Sequence, residues 1–385
     1  MRSRFWQKNM IKLAVKQLFL DKLKTALTIF ALAALIAVIF ILEGFEQGQY
    51  YQLKQLVLNR NADLIATQTG VKNFIATRSV IPQLARAEIE AVPGVVAAHP
   101  ITAIPIIYNK DNIRTPIYVI VFDTLGGPSN LLAGRVEQLG DNIVIDQALA
   151  KKYQLKVGDP LIVSDFEFAI TGITREAAFM MPFAFINYDG MIDLFLESDI
   201  APDLSTFPLL SYMLIEVAAG YQTQRVAEVI EDTVIDVDVY PIETIANNDV
   251  NLGQTFFRPI MGVLVSVGYI IGLLVISLIM YSEINTSRKS YAVLKALGFS
   301  FSQLVSLVFF FSSILLMAAI PIALILALII AFTIETSAPV YLIKIFEPSV
   351  ITQTLLACLS FSLIGGLVPL MAIKRCDPMI AFQAS

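Results

Sequence analysis

Residues 25–42, TALTIFALAALIAVIFIL, are 18 consecutive residues without a charge, and they decide the fold class of this chain. A helix needs about 20 predominantly apolar residues to cross the hydrocarbon core of a bilayer, where it satisfies all of its own backbone groups. Three further uncharged stretches follow, with lengths of 24, 39 and 26 residues. We therefore predict four transmembrane helices, at 25–42, 260–281, 304–333 and 351–373.

The overall composition agrees with a membrane protein. Only 15% of the 385 residues are charged, 56% are hydrophobic, and the mean hydropathy is +0.71. A soluble domain carries about 25% charged residues, so the composition excludes a purely soluble protein. The first stretch is short enough for a signal peptide, but Glu43-Gly44-Phe45-Glu46 follows it instead of a small-residue cleavage site. This favours an uncleaved anchor.

The 39-residue stretch between Lys295 and Glu335 admits two interpretations. Two helices turning at Pro321 would need a polar loop, and nothing polar enough flanks that proline. A single helix that contains Pro321 as a kink is the simpler prediction.

Charged residues are distributed unevenly along the chain. The segment 43–259 carries 14 Lys and Arg residues against 27 Asp and Glu residues, a net charge of −13. The first 24 residues carry seven Lys and Arg residues against Asp21 alone, and 282–303 and 374–385 are also basic. Because positive charge marks the cytoplasmic side, we predict a multi-pass protein of the cell inner (cytoplasmic) membrane. Both termini and 282–303 would be cytoplasmic, with 43–259 and the loop 334–350 outside.

The acidic segment 43–259 alternates strand-like and turn-like stretches. Residues 143–145 are a candidate buried strand, 148–153 a helical turn, and 161–163 a strand that follows a Gly-Asp-Pro turn. Residues 165–170 partly alternate polar and apolar side chains, as in a half-exposed strand. We predict a membrane protein with four transmembrane α-helices and a large extracytoplasmic (periplasmic) α+β domain between helices 1 and 2.

The sequence offers little for catalysis or metal binding. Its one histidine, His99, precedes a proline in an apolar run, which is more typical of a structural residue than of a catalytic one. No G-x-x-x-x-G-K-[ST] loop is present to hold nucleotide phosphates. The two cysteines lie in the fourth stretch and the tail, which excludes a disulfide framework in the acidic segment. We predict no catalytic residue, metal site or cofactor in this chain, and no nucleic-acid partner.

The uncharged spans also disfavour an ion or proton carrier, since such proteins keep ionisable groups inside the bilayer. Their polar residues are isolated Ser, Thr and Gln. We expect the spans to pack together and to transmit movement.

A basic amphipathic helix is predicted within residues 1–24. Lys8, Lys12 and Lys16 recur at four-residue spacing, and apolar side chains surround this stripe. Such a helix lies at the inner membrane surface and contacts lipid headgroups. A plain positively charged flank of the first span is the alternative.

The segment 282–303 between the second and third spans is the strongest functional candidate. Tyr291, Leu294 and Leu297 repeat at helical spacing, and Gly298 stands where a glycine ends a helix. A short, half-apolar cytoplasmic helix favours a partner protein that covers it. A helix resting on lipid is the alternative.

Residues 288–298, RKSYAVLKALG, resemble the E-[IY]-[GA]-x-L-[KR]-A-[LM]-G signature of permease subunits in the FtsX/MacB/LolC family of ABC transporters. The Tyr291-Ala292 pair is most similar to the DevC-like branch of that family. One position departs from the signature, because Ser290 stands where the family has glutamate.

The resemblance extends over most of the chain. Pro93-Gly94-Val95 resembles the family's early P-G-V turn, and 142–160 resembles its strand–helix–"L-K-V-G-D" stretch. The tail 374–381, KRCDPMIA, resembles the family's closing D-P-x-x-A pattern. The order of a basic helix, one span, a large outer domain and three spans is also the family's layout.

The resemblance implies that 282–303 is a coupling helix that docks on a separate ABC-type ATPase, which would bind ATP and Mg. The residues implied in this contact are Glu283, Arg288, Tyr291, Leu294, Lys295, Leu297 and Gly298. It also implies a homodimer, or a heterodimer with a related permease, and a possible periplasmic adaptor protein. The chain itself would not be an enzyme.

We therefore predict the permease subunit of an ABC transporter that transmits ATPase movement to the extracytoplasmic domain. Its work would be the export or extraction of a lipid, lipoprotein or hydrophobic compound. The alternative is an FtsX-like signalling or scaffold protein that regulates an envelope enzyme without transport. A membrane-anchored receptor with no ATPase is a third class.

Overall fold

A computed structural model describes residues 22–365 except 76, 78, 83, 111–112, 138–139, 164–165, 179, 189, 192–208 and 287. The helices in this part of the chain are α1 (Lys22–Leu58), α2 (Ala85–Glu90), α3 (Gln147–Tyr153), α4 (Thr223–Thr233), α5 (Ile242–Thr286), α6 (Arg288–Ala296), α7 (Phe301–Ser337) and α8 (Pro348–Gly365). The strands are β1 (Leu64–Gln68), β2 (Ile81–Pro82), β3 (Val95–Lys110), β4 (Ile113–Phe122), β5 (Leu131–Gly134), β6 (Asn142–Asp146), β7 (Pro160–Val163), β8 (Phe166–Thr174), β9 (Ala177–Ala178), β10 (Met181–Asn187), β11 (Leu209–Leu210), β12 (Tyr212–Val217) and β13 (Val237–Pro241). The predicted basic helix with Lys8, Lys12 and Lys16 lies outside the described residues, as does the tail 374–385.

The chain divides into two compact units. The membrane unit contains the described residues up to Gln47, together with Pro259–Ile334 and those from Ile343 onward. The sheet unit contains Gly48–Arg258 and Glu335–Leu342. Helices α1, α5 and α7 contribute residues to both units.

The membrane unit is a helical bundle with an apolar core. Within the described residues, α1, α5, α7 and α8 are long and apolar enough to cross a membrane. Ala319, Ala323 and Ala327 of α7 follow each other at four-residue spacing and are fully buried, and small residues of this kind let helices pack closely. The hydroxyls of Ser312 on α7 and Ser362 on α8 lie 2.8 Å apart and join these two helices.

The prediction of four membrane-spanning helices is confirmed by α1, α5, α7 and α8. The first three extend beyond the predicted spans 25–42, 260–281 and 304–333, and residues 366–373 of the predicted fourth span lie outside the described residues. The prediction of one helix across Pro321 is confirmed, since α7 contains that proline. Helix α5 likewise continues through Pro259, so the helix begins 18 residues before the predicted start of the second span at 260. Helix α1 continues to Leu58, well past the predicted end of the first span at 42.

The sheet unit is built on one mixed sheet of eleven strands. Its main path runs β13-β1-β12-β3-β4-β10-β6-β8-β5, while β7 pairs with β8 and β9 with β10. The pairs β4–β10 and β6–β8 are parallel, and the other pairs in the path are antiparallel. A separate two-stranded sheet joins β2 and β11. The predicted α+β architecture between the first two spans is therefore present.

The strands follow from simple side-chain alternation. In β8, Phe166, Phe168 and Ile170 are buried while Glu167 and Ala169 are exposed, as expected for a strand with one face on a core. The predicted sequence of strand, helix and strand over 142–163 is confirmed as β6, α3 and β7. These elements form from short-range patterns, so the sequence predicts them well.

Candidate functional site

Helix α6 occupies the segment that the sequence predicts to contact an ATPase. Tyr291 is only 3% exposed, and it belongs to the same apolar core as Leu304 and Leu307 of α7. Leu294 is partly buried against that core. Two of the predicted contact residues therefore hold α6 onto the membrane unit itself.

The exposed side of α6 carries a different apolar pair. Val293 is 45% exposed and Leu297 is 71% exposed. Residues four apart lie on the same face of a helix, so these two side chains form one apolar strip. Phe301, at the start of α7, is also exposed.

The end of α6 is fixed by Gly298. The amide of Gly298 donates to the carbonyl of Lys295 at 3.1 Å, and the amide of Phe299 donates to the carbonyl of Leu294 at 3.1 Å. This is the bond pattern of a Schellman motif, in which the residue after the helix takes a left-handed conformation. Gly298 has a φ of +89°, which explains the glycine.

Helix α7 begins at Phe301 with a capping box, in which Ser300 is the N-cap residue. The amide of Ser300 donates to Oε1 of Gln303 at 2.8 Å, and the amide of Gln303 donates to Oγ of Ser300 at 3.4 Å. This reciprocal pair satisfies two amides that a helix start leaves open. Hydrogen bonds therefore fix both ends of the turn between α6 and α7, and they fix the position of the end of α6 relative to the start of α7.

Glu283, another predicted contact residue, pairs with a residue of α1. Its Oε2 accepts a hydrogen bond from Nζ of Lys24 at 2.7 Å. The Glu283 side chain is 19% exposed and that of Lys24 is 37% exposed. The pair joins the beginning of α1 to the last turn of α5, which ends at Thr286. Arg288 is the first residue of α6, and Lys295 is partly exposed on it.

A second site lies in the sheet unit, where α1 ends and α5 begins. Strand β1 follows α1 and pairs with β13, which leads directly into α5; Leu64 lies opposite Pro241 in this pair. The amide of Ile242, the first residue of α5, donates to the carbonyl of Asp63 at 3.2 Å. We call this region, residues 56–68 and 237–246, the helix root.

Arg60 is the central side chain of the helix root. It is fully buried, and its Nε donates to the carbonyl of Leu56 in the last turn of α1 at 3.0 Å. Its Nη1 donates to the carbonyls of Gly126 and Gly127 in the loop between β4 and β5, the latter at 2.9 Å. Arginine suits this role because its planar guanidinium presents several donors in fixed directions.

The guanidinium of Arg60 also forms an ion pair with Glu176, in the loop between β8 and β9. Both side chains are almost completely buried. The ring of Phe185 from β10 lies below, with its centroid 5.1 Å from Cζ of Arg60. Burial lowers the pKa of Arg60, and the Glu176 carboxylate opposes this shift. Arginine remains charged in such surroundings.

Glu176 extends the network to the edge of α3. Its Oε1 accepts from the amide of Ser129 at 2.5 Å and from Oγ of the same residue at 2.7 Å. Its amide donates to Oδ2 of Asp146 at 2.8 Å. Asp146 caps α3 by accepting from the amide of Ala148 at 2.7 Å. Burial raises the pKa of Asp146 to about 7, although both amide hydrogen bonds lower it.

The helix root has little signal in the amino-acid sequence. Its one usable signal is Asn61, which follows α1 with a φ of +56°, because asparagine often takes the left-handed position after a helix. That signal places Arg60 just after the end of a helix, but it does not identify Glu176, 116 residues further on.

Two family models match the chain. The MacB-like periplasmic core domain matches residues 25–233, which is more than half of the 385 residues. The FtsX-like permease C-terminal domain matches residues 262–378 and includes α6, α7 and α8.

Solved structures are also similar to this chain. The crystal structure of the periplasmic region of MacB from Actinobacillus actinomycetemcomitans is 12% identical, covers 49% of this chain and 94% of its own, and has a TM-score of 0.35. The extracellular domain of the noncanonic ABC-type transporter YknZ from Gram-positive bacteria is 12% identical, covers 47% of this chain and 100% of its own, and has a TM-score of 0.34. Among curated proteins, none matches the chain.

Proposed function

This chain belongs to the MacB/FtsX family of ABC-type permeases, membrane subunits that work with ABC ATPase partners, and from that premise we propose that it transmits the movement of such an ATPase to its sheet domain. It is a membrane protein with four membrane-spanning helices and a large extracytoplasmic α+β domain between the first two. The ATPase would bind ATP and Mg and would supply the hydrolysis.

The observation that carries the proposal is the way α6 is held. Tyr291 anchors it in the apolar core, and Gly298 and the Ser300–Gln303 capping box fix the turn that follows it. The exposed strip of Val293 and Leu297 is left for a partner. Because one face of α6 is fixed and the other is apolar and exposed, a partner that binds the exposed face can displace α6 and, with it, the adjoining helices α5 and α7.

We therefore propose that the ATPase contacts the Val293–Leu297 strip. Leu294 and Tyr291 would support this contact indirectly, by packing α6 against the core of the membrane unit. The resemblance adds Lys295 and Arg288 to the proposed contact, and both belong to the same short helix. Glu283 would act through its ion pair with Lys24, which joins α1 to the end of α5. In this way a displacement of α6 would reach both α1 and α5.

The proposed location is the cell inner membrane, with both termini and α6 on the cytoplasmic side. The basic residues of 282–303 and the net charge of −13 over 43–259 support this orientation. The loop 338–347 between α7 and α8 would then lie outside, where the amide of Lys344 donates to the carbonyl of Gly44 on α1 at 2.9 Å. The basic residues Lys8, Lys12 and Lys16 would rest on the inner lipid surface.

We propose a lipid, lipoprotein or hydrophobic compound as cargo, exported or extracted by a dimer of this chain or by a heterodimer with a related permease. A periplasmic adaptor protein is a further proposed partner. The uncharged spans support an apolar cargo over an ion, because a charged path through the bilayer requires ionisable groups.

The ATPase contact is tested by replacing Leu297 with Asp and measuring how much ATPase co-purifies with the chain. We expect a loss of about tenfold or more in binding, since a charge enters an apolar contact. Leu132→Asp is the matched control, because Leu132 is also an exposed leucine but lies on β5 of the sheet unit. Equal ATPase binding by both variants would refute the contact.

Transport of the proposed cargo is tested with the reconstituted complex of permease and ATPase. ATP hydrolysis that rises when candidate lipids or lipoproteins are added, together with their release from the membrane, would support transport. ATP hydrolysis that instead activates an envelope enzyme, with nothing released, would support the FtsX-like signalling alternative.

A further inference from the structure

Arg60 links two parts of the sheet unit that the backbone connects only indirectly. The chain leaves α1 into β1, which is second from one end of the sheet order. Glu176 and Asp146 belong to the other end, beside β8, β9 and β6. The hydrogen bonds of Arg60 connect these two ends of the sheet, and one of them reaches Glu176 directly.

We infer that Arg60 is a positioning residue that couples rotation of the end of α1 to rotation of the half of the sheet formed by β6, β8 and β10. The inference rests on the proposed function, because the turning of α1 is useful only if an ATPase drives it. The Arg60 guanidinium fixes direction as well as distance, since its Nε, Nη1 and Nη2 each have a different partner.

Apolar packing alone would not fix that direction. Leu53, Leu56 and Val57 of α1 share an apolar core with Val144 of β6 and Phe185 of β10. Apolar contacts hold surfaces together but are not directional, so this core permits the helix end to rotate against the strands. The carbonyl and carboxylate acceptors around Arg60 do not permit that rotation without breaking bonds.

Replacement of Arg60 alone would leave the buried Glu176 carboxylate without its partner, which is strongly destabilising. The test therefore uses the double variant Arg60→Met with Glu176→Gln. The introduced glutamine keeps an oxygen for Ser129, and the unbranched methionine fills the space of the arginine stem. Arg60→Lys is the second variant, because lysine keeps the charge beside Glu176 but lacks the fork that reaches the three carbonyls.

The measurement is the distance distribution between spin labels on the full chain in lipid nanodiscs, in a background without Cys358 and Cys376. One pair joins Tyr51 on α1 to Lys151 on α3, and a reference pair joins Tyr51 to Glu228 on α4. All three positions are exposed. The double variant Arg225→Met with Glu228→Gln is the matched control, because it removes an ion pair that is solvent-exposed. It is measured only with labels at positions 51 and 151, because position 228 carries a label in the reference pair.

We expect the Tyr51–Lys151 distribution to broaden about twofold in the double variant, as a fixed contact becomes mobile. It should broaden less in Arg60→Lys and not at all in the control variant. The Tyr51–Glu228 distribution should stay narrow in the Arg60 variants, because β1 and its neighbours still hold α1. A general loss of packing would broaden both label pairs and would overturn the inference.

A Tyr51–Lys151 distribution that stays narrow in both Arg60→Lys and the double variant would also overturn it. If the double variant does not fold, the Arg60→Lys result decides alone. The measurement needs neither ATPase nor nucleotide, so failure of the ATPase contact at Leu297 leaves it intact. The two proposals can therefore fail separately.

Discussion

Gly253 of α5 packs so closely on Leu53 of α1 that a Cβ atom at position 253 would lie 2.5 Å from Cδ1 of Leu53. Leu53 is buried in the apolar core of the sheet unit, together with Ile245 and Ala246 of α5. The helix that enters the sheet unit and the helix that leaves it are therefore in direct contact there. This contact adds to the backbone pairing of β1 with β13.

Replacement of Gly253 by leucine should separate the two helices. Overpacking of this kind costs about 1–3 kcal/mol, so we expect a lower midpoint of thermal unfolding for the detergent-solubilised chain. Gly253→Ala should cost less, because the clash is with the end of a flexible side chain and alanine favours the helix by about 1 kcal/mol.

Gly262→Leu is the matched control on the same helix, because nothing lies within 4 Å of a Cβ atom at that position. This control should be neutral or slightly stabilising. A Gly253→Leu variant that melts no lower than Gly262→Leu would show that the helices are not packed as described.

Replacement of Gly298 by alanine should loosen the end of α6. An L-residue at a φ of +89° is strained by about 1–2 kcal/mol, and relief of that strain would break the bonds that fix the turn to α7. We expect weaker binding of the ATPase, measured by titration of the purified subunits, with a small fall in thermal stability.

Gly220→Ala provides the control for backbone strain. Gly220 has a φ of +94° with nothing near its Cβ position, and it lies in the turn before α4 in the sheet unit. The control should lose a similar amount of stability and no ATPase affinity. Equal losses of affinity in both variants would mean that the position of α6 is unimportant for binding.

The sequence predicts the parts of this fold that depend on local patterns. Uncharged apolar stretches identify the four spans, because the bilayer leaves few other structures possible. Side-chain alternation over 165–170 identifies a strand that the structure gives as β8. The glycine at 298 correctly predicts the end of α6, since the chemistry of a left-handed residue is local.

The sequence does not predict what depends on distant partners. The sequence predicts that the first span ends at residue 42, because Glu43 ends the uncharged stretch, yet α1 continues to Leu58. Gln49 is buried in the sheet unit, so tertiary packing maintains the helix there. Tyr291 is among the predicted ATPase contacts, and its burial depends on how α6 packs against α7. The Arg60–Glu176 pair has no local signal at all.

The Lys24–Glu283 ion pair should contribute little to stability. Both side chains remain partly exposed, and such pairs are worth about 0.2–1 kcal/mol. We expect a double-mutant cycle of Lys24→Gln and Glu283→Gln to give a coupling energy in this range, and to give less in high salt.

The exposed Arg225–Glu228 pair of the sheet unit is the reference for this cycle. A similar coupling energy for both pairs would identify Lys24–Glu283 as an ordinary surface pair. A coupling energy of several kcal/mol would contradict the expected range and would show that the pair is much stronger than an exposed ion pair.

The buried carboxyl of Asp146 should make the stability of the sheet unit depend on pH. Its pKa is raised from 3.8 to about 7, chiefly by burial. The folded chain therefore holds a proton between about pH 4 and pH 7 that the unfolded chain has released. From this group, the free energy of unfolding should fall as the pH rises through that window, by up to about 1.4 kcal/mol for each unit of pKa shift, and should be level above it.

Asp146→Asn isolates this contribution because the amide cannot ionise. Its oxygen can accept from the Ala148 amide, but its NH₂ would then face the Glu176 amide, so we expect a loss of about 1 kcal/mol at pH 4. The difference between wild type and variant should shrink as the pH rises to 7, and can change sign, because only the wild type is then forced to bury a charge. Denaturant unfolding of the chain at pH 4, 5.5 and 7 measures this difference. A difference that is constant across the three pH values would mean that Asp146 does not titrate in this window.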